Sequence, residues 1–237
     1  MCFHISLSKD PKSIEKRFDA SFIEAIFEKI YHVSAFSYPR LPVISNDDPC
    51  KIQLFFWGLI PLWVKDEDAA LKIREQTLNA KVETITTKPS FRHSIKTKRC
   101  LVLADGFYEW QHVKNQTYPH YIHLKDHQLF AFAGIWDAWI NKGTNETLKT
   151  FSIITTQANP LLAVIHNTKK RMPVILRPED ERKWLSDIAV EEAVSLLAPY
   201  DEKVMEAHTV SKLITRKGVP TNVPEVMSSH KYEAVFG

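Results

Sequence analysis

Between residues 99 and 156 the sequence alternates short apolar runs with polar turns, and this alternation restricts the possible folds more than any other feature. The runs are rich in β-branched and aromatic residues, which favour strands. Strands are predicted over residues 99–104, 107–111, 118–124, 129–135 and 150–156. The connecting turns, such as residues 141–145, are short, and short turns join antiparallel neighbours.

Helical patterns flank these strands. Asp10 and Pro11 form a typical helix start, and apolar residues recur at helical spacing beyond them, so a helix is predicted over residues 11–31. Further helices are predicted at residues 158–165, 178–186 and 190–197, and further strands at residues 51–57, 173–176 and 204–210. The order favours an α+β fold, a single domain over residues 1–237, whose curved or barrel-like, mainly antiparallel β core is flanked by helices.

Composition excludes several classes of protein. The 237 residues, 44% of them hydrophobic, suffice for a substantial core. The longest apolar stretch, residues 54–62, is too short to span a bilayer, and the first residues do not resemble a signal peptide. We therefore expect a cytoplasmic protein, nucleoid-associated if bacterial, with no membrane partner. The three cysteines form no CxxC pair, so neither a disulfide framework nor a metal site is expected, and no motif indicates a cofactor.

The net charge of +3 is too small to indicate a partner, but the charge is unevenly distributed. Residues 84–104 contain no acidic residue and five basic ones, and a second basic group lies at residues 169–171. Such groups are either solvated faces or a path for a phosphate backbone.

Cys2 is the first candidate for chemistry. Removal of Met1 would give it a free α-amine beside its thiol, and both are nucleophiles with ordinary pKa values near 8. An aldehyde would condense with the amine, and the thiol would then close a thiazolidine ring in an intramolecular step. Alternatively, Cys2 is an inert small hydrophobic residue or an unstructured terminal one.

Three further residues have both a chemical and a structural interpretation. Glu109 lies between aromatic residues, so it is either a general acid/base with a raised pKa or a solvent-facing residue of an edge strand. His166 is either an acid/base or a capping or core residue, and Asn79 could be a helix N-cap with Glu83 in the first turn. The tryptophans, notably Trp57, Trp63 and Trp110, are core residues or stacking platforms for bases.

Read together, several segments resemble the SRAP family (SOS response-associated peptidase), to which the bacterial and human abasic-site crosslinking proteins belong. The resemblance extends from Cys2 to about residue 226, and its order and spacing are more specific than any one motif. The matching segments are residues 1–2, 57–63, 79–84, 88–92, 99–102, 105–110, 132–136, 155–159 and 171–176.

The resemblance implies a function and a set of roles. The protein would bind single-stranded DNA containing an abasic site, including junctions with duplex, as a monomer in the DNA damage response. Cys2 would form the thiazolidine, Asn79 would orient Cys2 and the sugar, Glu109 would transfer protons, and His166 would assist opening of the sugar ring. The family name also implies autoproteolytic removal of Met1. The implied DNA-binding residues are His4, Trp63, Lys81, Lys88, Arg92, Trp110, Lys169, Lys170 and Arg171.

The chain departs from the family pattern near these residues. Phe3 and His4 replace the usual Gly-Arg after the cysteine, and residues 32–35 lack the proline of the family's Asn-x-Ala-Pro stretch. Lys81 stands where Arg is commoner. Four residues, 167–170, separate His166 from Arg171 where one is typical, so the insertion could displace His166 or add two lysines to the DNA groove. These departures predict weaker or differently shaped DNA binding.

Two other classes of function fit the same residues. Cys2, Glu109 and His166 could support acyl transfer in a peptidase with an N-terminal cysteine nucleophile, although the sequence has no separate oxyanion-hole motif. The chain could also be a DNA-binding module that has lost the chemistry. A Gly-rich phosphate loop, a GxSxG elbow and an HExxH motif are all absent from the sequence.

Overall fold

The computed structural model describes residues 2–24, 27–216 and 218–233. The helices in this part of the chain are α1 Pro11–Phe18, α2 Glu67–Gln76, α3 Ser94–Thr97, α4 Pro160–Ile165, α5 Pro178–Leu185 and α6 Val190–Ser195. The strands are β1 His4–Leu7, β2 Ser21–Phe22, β3 Ile30–Ser34, β4 Arg40–Ser45, β5 Asp48–Trp57, β6 Asn79–Lys81, β7 Arg99–Ala104, β8 Gly106–Val113, β9 Gln116–Leu124, β10 Phe130–Ile140, β11 Thr147–Gln157, β12 Arg171–Pro173 and β13 Met205–Thr209.

Five of these strands close into a barrel. In the order β5, β4, β7, β10 and β11 they pair in antiparallel fashion, and β11 then returns to β5 in a parallel pairing of Thr150 and Phe151 with Phe56 and Trp57. β6 adds a second parallel pairing to β11. β7 is buried along its whole length because alternate side chains enter different cores. Val102 packs in the core shared with the second sheet, whereas Leu103 packs in the core beneath the helices.

The second sheet is antiparallel and has the order β13-β9-β8-β1-β3. β1 lies between β3 and β8, with Ile5 opposite Phe107 and Ser6 opposite Gly106. Continuing that register backwards brings the start of the chain beside Glu109 on β8. This sheet therefore positions the residues that follow Met1 in the middle of the molecule.

The α+β class with a barrel-like, mainly antiparallel core flanked by helices is confirmed. The single domain over residues 1–237 stays a prediction. Most predicted strands occur with shifted ends, but β12 ends at Pro173, and Ile175 forms only an isolated bridge to Phe132. Several elements are not apparent from the sequence pattern: α2, α3, β1, β2, β3, β4 and β6.

The helix predicted over residues 11–31 is wrong. The observed helix α1 begins at Pro11, with Asp10 as its N-cap, but it ends at Phe18, because Asp19 takes a left-handed conformation with φ of 49°. β2 follows and pairs with β5, so Phe22 belongs to a β-strand rather than to the apolar face of a helix. The part of that prediction at residues 25 and 26 lies outside the described residues. None of the described helices is long and apolar enough to cross a membrane.

Candidate active site around Cys2

Cys2 lies two residues before the first residue of β1 and is fully buried. Its Sγ lies 3.8 Å from the carbonyl oxygen of His4. Burial raises the pKa of the Cys2 thiol well above its ordinary value, and the nearby Glu109 carboxylate raises it further. The thiol is therefore protonated at neutral pH, and its reaction as a nucleophile requires a base beside it.

Asn79 fixes the backbone of Cys2. β6 holds Asn79 beside Ile153 of β11, and the Asn79 Nδ2 donates a hydrogen bond of 2.9 Å to the Cys2 carbonyl oxygen. Its Oδ1 is buried without a hydrogen-bond partner among the described residues. The alternative role as a helix N-cap is wrong, because Asn79 belongs to a strand and the 3₁₀ turn after it starts at Val82, with Lys81 at the N-cap position.

Glu109 is buried in β8, between β1 and β9, where it lies opposite His120. The alternative of a solvent-facing residue on an edge strand is therefore wrong. Burial raises the pKa of the Glu109 carboxyl from its ordinary value to about 7. Glu109 can thus both accept and donate a proton near neutral pH.

His166 ends α4 and is buried beside Glu109. Its Nδ1 lies 2.8 Å from the Arg171 carbonyl oxygen and 3.9 Å from Oε1 of Glu109. Burial lowers the pKa of His166 to about 4, so the imidazole is neutral at physiological pH and the contact with Glu109 is not an ion pair. Because a carbonyl oxygen only accepts, Nδ1 carries the proton and Nε2 is the acceptor of the ring.

The insertion at residues 167–170 leaves His166 beside Glu109. The side chain of Asn167 bridges to β8, where it accepts from the His112 backbone nitrogen and donates to the His112 carbonyl oxygen at 3.1 and 2.7 Å. Lys170 closes the turn with a φ of 49° and a bond from its nitrogen to the His166 carbonyl oxygen. Lys169 and Lys170 are exposed, and the charge of Lys169 lowers the pKa values of both Glu109 and His166.

Two clefts are lined by residues of the basic segment, and the first of them borders the site. The first, of about 630 Å³, has Asn79 and Phe3 on its walls together with Lys81 and Lys88. The second, of about 550 Å³, contains Trp63 and Arg92. The clefts therefore bring together four of the residues predicted to bind DNA, and the indole of Trp63 is 53% exposed.

Other predicted DNA-binding residues are engaged within the protein. Arg171 forms a bidentate ion pair with Glu83 and donates to the Thr155 carbonyl oxygen at 2.6 Å. Two cations of the basic segment are also structural: Lys98 pairs with Asp137 and the buried Arg99 donates to backbone carbonyls. Their roles are visible only in the structure, because their partners are distant in sequence.

Aromatic side chains pack around His4, two residues after Cys2. Nδ1 of His4 and Nε2 of His32 are joined by a hydrogen bond of 2.9 Å, and the two rings are stacked. Burial lowers the pKa of His4 to about 3 and that of His32 to about 4, so neither supplies a cation. Trp110 packs edge-on against His4 at 4.7 Å, and Phe36 borders the same group. Trp57, by contrast, is a core residue.

His32 and Phe36 are not among the predicted site residues. No local pattern identifies them, because the pairing of β1 with β3 brings them to His4. Within the described part of the chain, no three His, Cys, Asp or Glu side chains are grouped so as to hold a metal ion.

Comparisons with known proteins agree on one family. Residues 1–217 match the model of the SOS response associated peptidase (SRAP) family. The abasic site processing protein YoqW of Bacillus subtilis is 39% identical over 235 residues, covering 97% of this chain and all of YoqW. The abasic site processing protein HMCES of Xenopus tropicalis is 32% identical over 73% of this chain and 56% of its own length. A crystal structure of a Bacteroides thetaiotaomicron protein superposes with a TM-score of 0.91 at 40% identity, covering 97% of this chain and all of the other. The chain belongs to the SRAP family.

Proposed function

We propose that this protein processes abasic sites in single-stranded DNA by forming a covalent thiazolidine through Cys2 after removal of Met1. The observation that carries the proposal is the convergence of three segments, those of Asn79, Glu109 and His166, near Cys2. The Asn79 amide bonds the Cys2 carbonyl at 2.9 Å, the Glu109 charge acts on the Cys2 thiol, and His166 lies 3.9 Å from Glu109. The names of the curated relatives support abasic DNA as the substrate.

The first step is condensation with the sugar. His166 Nε2, the acceptor of a neutral ring, would take the proton of the sugar's anomeric hydroxyl and return it to the ring oxygen as the bond between that oxygen and the anomeric carbon breaks and the aldehyde forms. The α-amine of Cys2 would add to the aldehyde carbon to give a carbinolamine. Glu109, protonated in part at neutral pH, would donate a proton to the leaving hydroxyl, so that water departs and a protonated imine forms.

The second step closes the ring. The Glu109 carboxylate left by the first step would accept the proton of the Cys2 thiol, whose raised pKa makes such a base necessary. The sulfur would then attack the carbon of the protonated imine, whose nitrogen keeps its proton, so the ring closes to a neutral thiazolidine and Glu109 is left protonated as it began. Two bonds to the former aldehyde carbon, one to nitrogen and one to sulfur, replace its bonds to oxygen, and one water is released. Asn79 would hold the backbone of Cys2 throughout.

The DNA strand would follow the two clefts. Lys81, Lys88 and Arg92 are exposed on or beside the walls and would contact phosphates, while Trp63 would stack on an unpaired base. Lys169 and Lys170 would extend this basic path on the side of His166. In this proposal the protein acts as a monomer, and the single strand bends where it binds, so a junction with duplex is also accepted. The proposal also includes a role in the DNA damage response.

Removal of Met1 is the condition for this chemistry, and we assign it to the site itself. Glu109, with a pKa of about 7 and a charge that acts on the Cys2 thiol, would move the protons that peptide hydrolysis needs. If the protein is autoproteolytic, Glu109→Gln purified from the same cells retains Met1 by intact mass while the wild type has lost it. If a cellular aminopeptidase acts instead, both proteins lose it.

The test is adduct formation. Wild-type protein whose intact mass shows loss of Met1 is mixed with a single-stranded oligonucleotide carrying one abasic site, and denaturing gels record a stable complex. Cys2→Ala and a variant with a tag before Cys2 should form none. The matched control is Cys50→Ala, which removes an exposed cysteine outside the site and should react like the wild type. Absence of an adduct with the processed wild type, or its persistence in Cys2→Ala, contradicts the proposal.

A further inference from the structure

Phe36 is the only phenylalanine in the described part of the chain whose side chain is exposed, to 61%. It is not isolated: its ring packs against that of Phe3, with centroids 4.9 Å apart and planes tilted by 38°. Phe3 itself is half-buried and packs partly against the core. The pair thus presents a continuous aromatic surface to solvent that burial in the core does not explain.

The backbone holds this pair in place. The Ala35 nitrogen donates a hydrogen bond of 2.7 Å to the Phe3 carbonyl oxygen, which joins the start of β1 to the end of β3. Ser34 then caps the 3₁₀ turn Ala35–Ser37 by accepting from the Phe36 nitrogen. Because Ala35 is fully buried, the turn that carries Phe36 is anchored to the core, and its ring is positioned before any ligand arrives.

The surface adjoins the nucleophile. Phe3 follows Cys2 directly, and successive Cα atoms are about 3.8 Å apart. Phe3 also lines the cleft of about 630 Å³ that holds Asn79, Lys81 and Lys88. One acidic side chain, Glu75, lies on the same wall, and the two lysines outnumber it. A ligand on the aromatic surface would thus have positive charge on one side and the Cys2 site on the other.

The residues around the aromatic surface indicate which ligand it would bind. An abasic nucleotide lacks a base, so the base next to it loses a stacking partner on one face. An aromatic ring one residue from the nucleophile can take the place of the missing base, and base–aromatic stacking tolerates any sequence because every base has a π-face. The adjacent lysines suit the phosphates that flank such a base. We propose that Phe3 and Phe36 form a stacking platform for the base next to the abasic nucleotide. This inference rests on the proposed function.

The test measures equilibrium binding without chemistry. A labelled single-stranded oligonucleotide carries tetrahydrofuran, a stable abasic analogue without an aldehyde, at its centre. Two further versions replace the adenine on its 5′ or its 3′ side by a second tetrahydrofuran. Fluorescence anisotropy with the wild type should show about tenfold weaker binding when the base on one side is missing. Phe36→Ala should bind all versions alike, and Phe36→Trp should restore the difference.

Ile140→Ala is the matched control, because Ile140 is 54% exposed at the end of β10 and outside both clefts. It should retain the wild-type preference. Phe3→Leu, which keeps apolar volume but removes the ring, tests the second residue, and thermal melting confirms that each variant is folded. A base preference in Phe36→Ala equal to that of the wild type, or no preference in the wild type, overturns the platform.

The same proteins are also mixed with an oligonucleotide carrying a true abasic site. Adducts formed by a wild type that shows no base preference in anisotropy would overturn the platform and leave the crosslinking intact. A preference that depends on Phe36, with no adduct from processed protein, would support the platform and contradict the crosslinking. The two proposals therefore fail separately.

Discussion

His166 lies 3.9 Å from the Glu109 carboxyl even though four residues separate it from Arg171. The insertion is absorbed by a turn that Asn167 ties to the backbone of His112, and the imidazole donates to the Arg171 carbonyl across it. Burial then gives the two groups opposite shifts: the pKa of Glu109 rises to about 7 and that of His166 falls to about 4. At neutral pH the pair thus combines a titrating carboxyl with a neutral imidazole, and this division of charge underlies the first two predictions.

The rate of adduct formation should depend on pH through Glu109. In wild type, the single-turnover rate should show an inflection near pH 7, where the Glu109 carboxyl titrates, and a further rise near pH 8 from the α-amine. Glu109→Gln, treated with a methionine aminopeptidase so that Met1 is absent, should react more slowly and lose the lower inflection only. His166→Gln should react about tenfold to a hundredfold more slowly with the same inflections, because His166 is neutral throughout this range. A lower inflection that vanishes in His166→Gln but persists in Glu109→Gln would reverse the assignment.

Ionisation of the Glu109 carboxyl should also lower the free energy of unfolding as pH rises. Its pKa in the folded protein, about 7, exceeds its ordinary value of 4.5, so the folded state binds more protons between these values and the free energy of unfolding falls across them. Glu109→Gln should remove that fall and be more stable than wild type by the order of 1–3 kcal/mol at about pH 8, with no gain near about pH 4. Urea titrations at several pH values measure this. Glu206→Gln, at an exposed position on β13, is the control, and an equal gain there would contradict the argument.

Loss of the Asn79 amide should affect the rate more than binding. Asn79→Ala removes the bond to the Cys2 carbonyl, so the nucleophile is less well positioned, and the single-turnover rate should fall by about tenfold to a hundredfold. The affinity for DNA carrying the unreactive tetrahydrofuran should change by less than about threefold, since that bond is within the protein. Asn115→Ala, in the exposed β8–β9 turn, is the matched control. A large loss of affinity with an unchanged rate would assign Asn79 to DNA binding instead.

Lys88 and Arg171 should differ in their effect on salt dependence. Lys88 is exposed in the cleft, so Lys88→Ala should reduce the slope of log affinity against log salt by about 0.7, as for one contact to a single strand. Arg171→Ala should leave the slope nearly unchanged and lower the free energy of unfolding by about 1–3 kcal/mol, because it leaves Glu83 and the Thr155 carbonyl without their donor. A full unit of slope lost in Arg171→Ala would show that Arg171 leaves Glu83 to bind DNA.

The sequence by itself determined the strands between residues 99 and 156, the α+β class with a barrel-like core, and the family, because these depend on local periodicity and on the order of motifs. It also predicted Asn79, Glu109 and His166 as partners of Cys2, and these three residues lie near it in the structure. The same local reasoning failed at residues 11–31, where apolar spacing fits a helix but Asp19 ends α1 and β5 pairs with the residues that follow. Periodicity reports which residues are apolar, and only the partner strand decides how they are buried.

Tertiary structure alone decided how the candidate residues can act. Whether Glu109 faces solvent or the core is set by β1 and β9 on either side of it, and its raised pKa follows from that burial. Whether Arg171 is available to DNA depends on Glu83, which lies 88 positions earlier in the chain. The contact of Phe3 with Phe36 depends on the pairing of β1 with β3. Burial, pKa and pairing are properties of contacts between distant segments, and no single segment contains them.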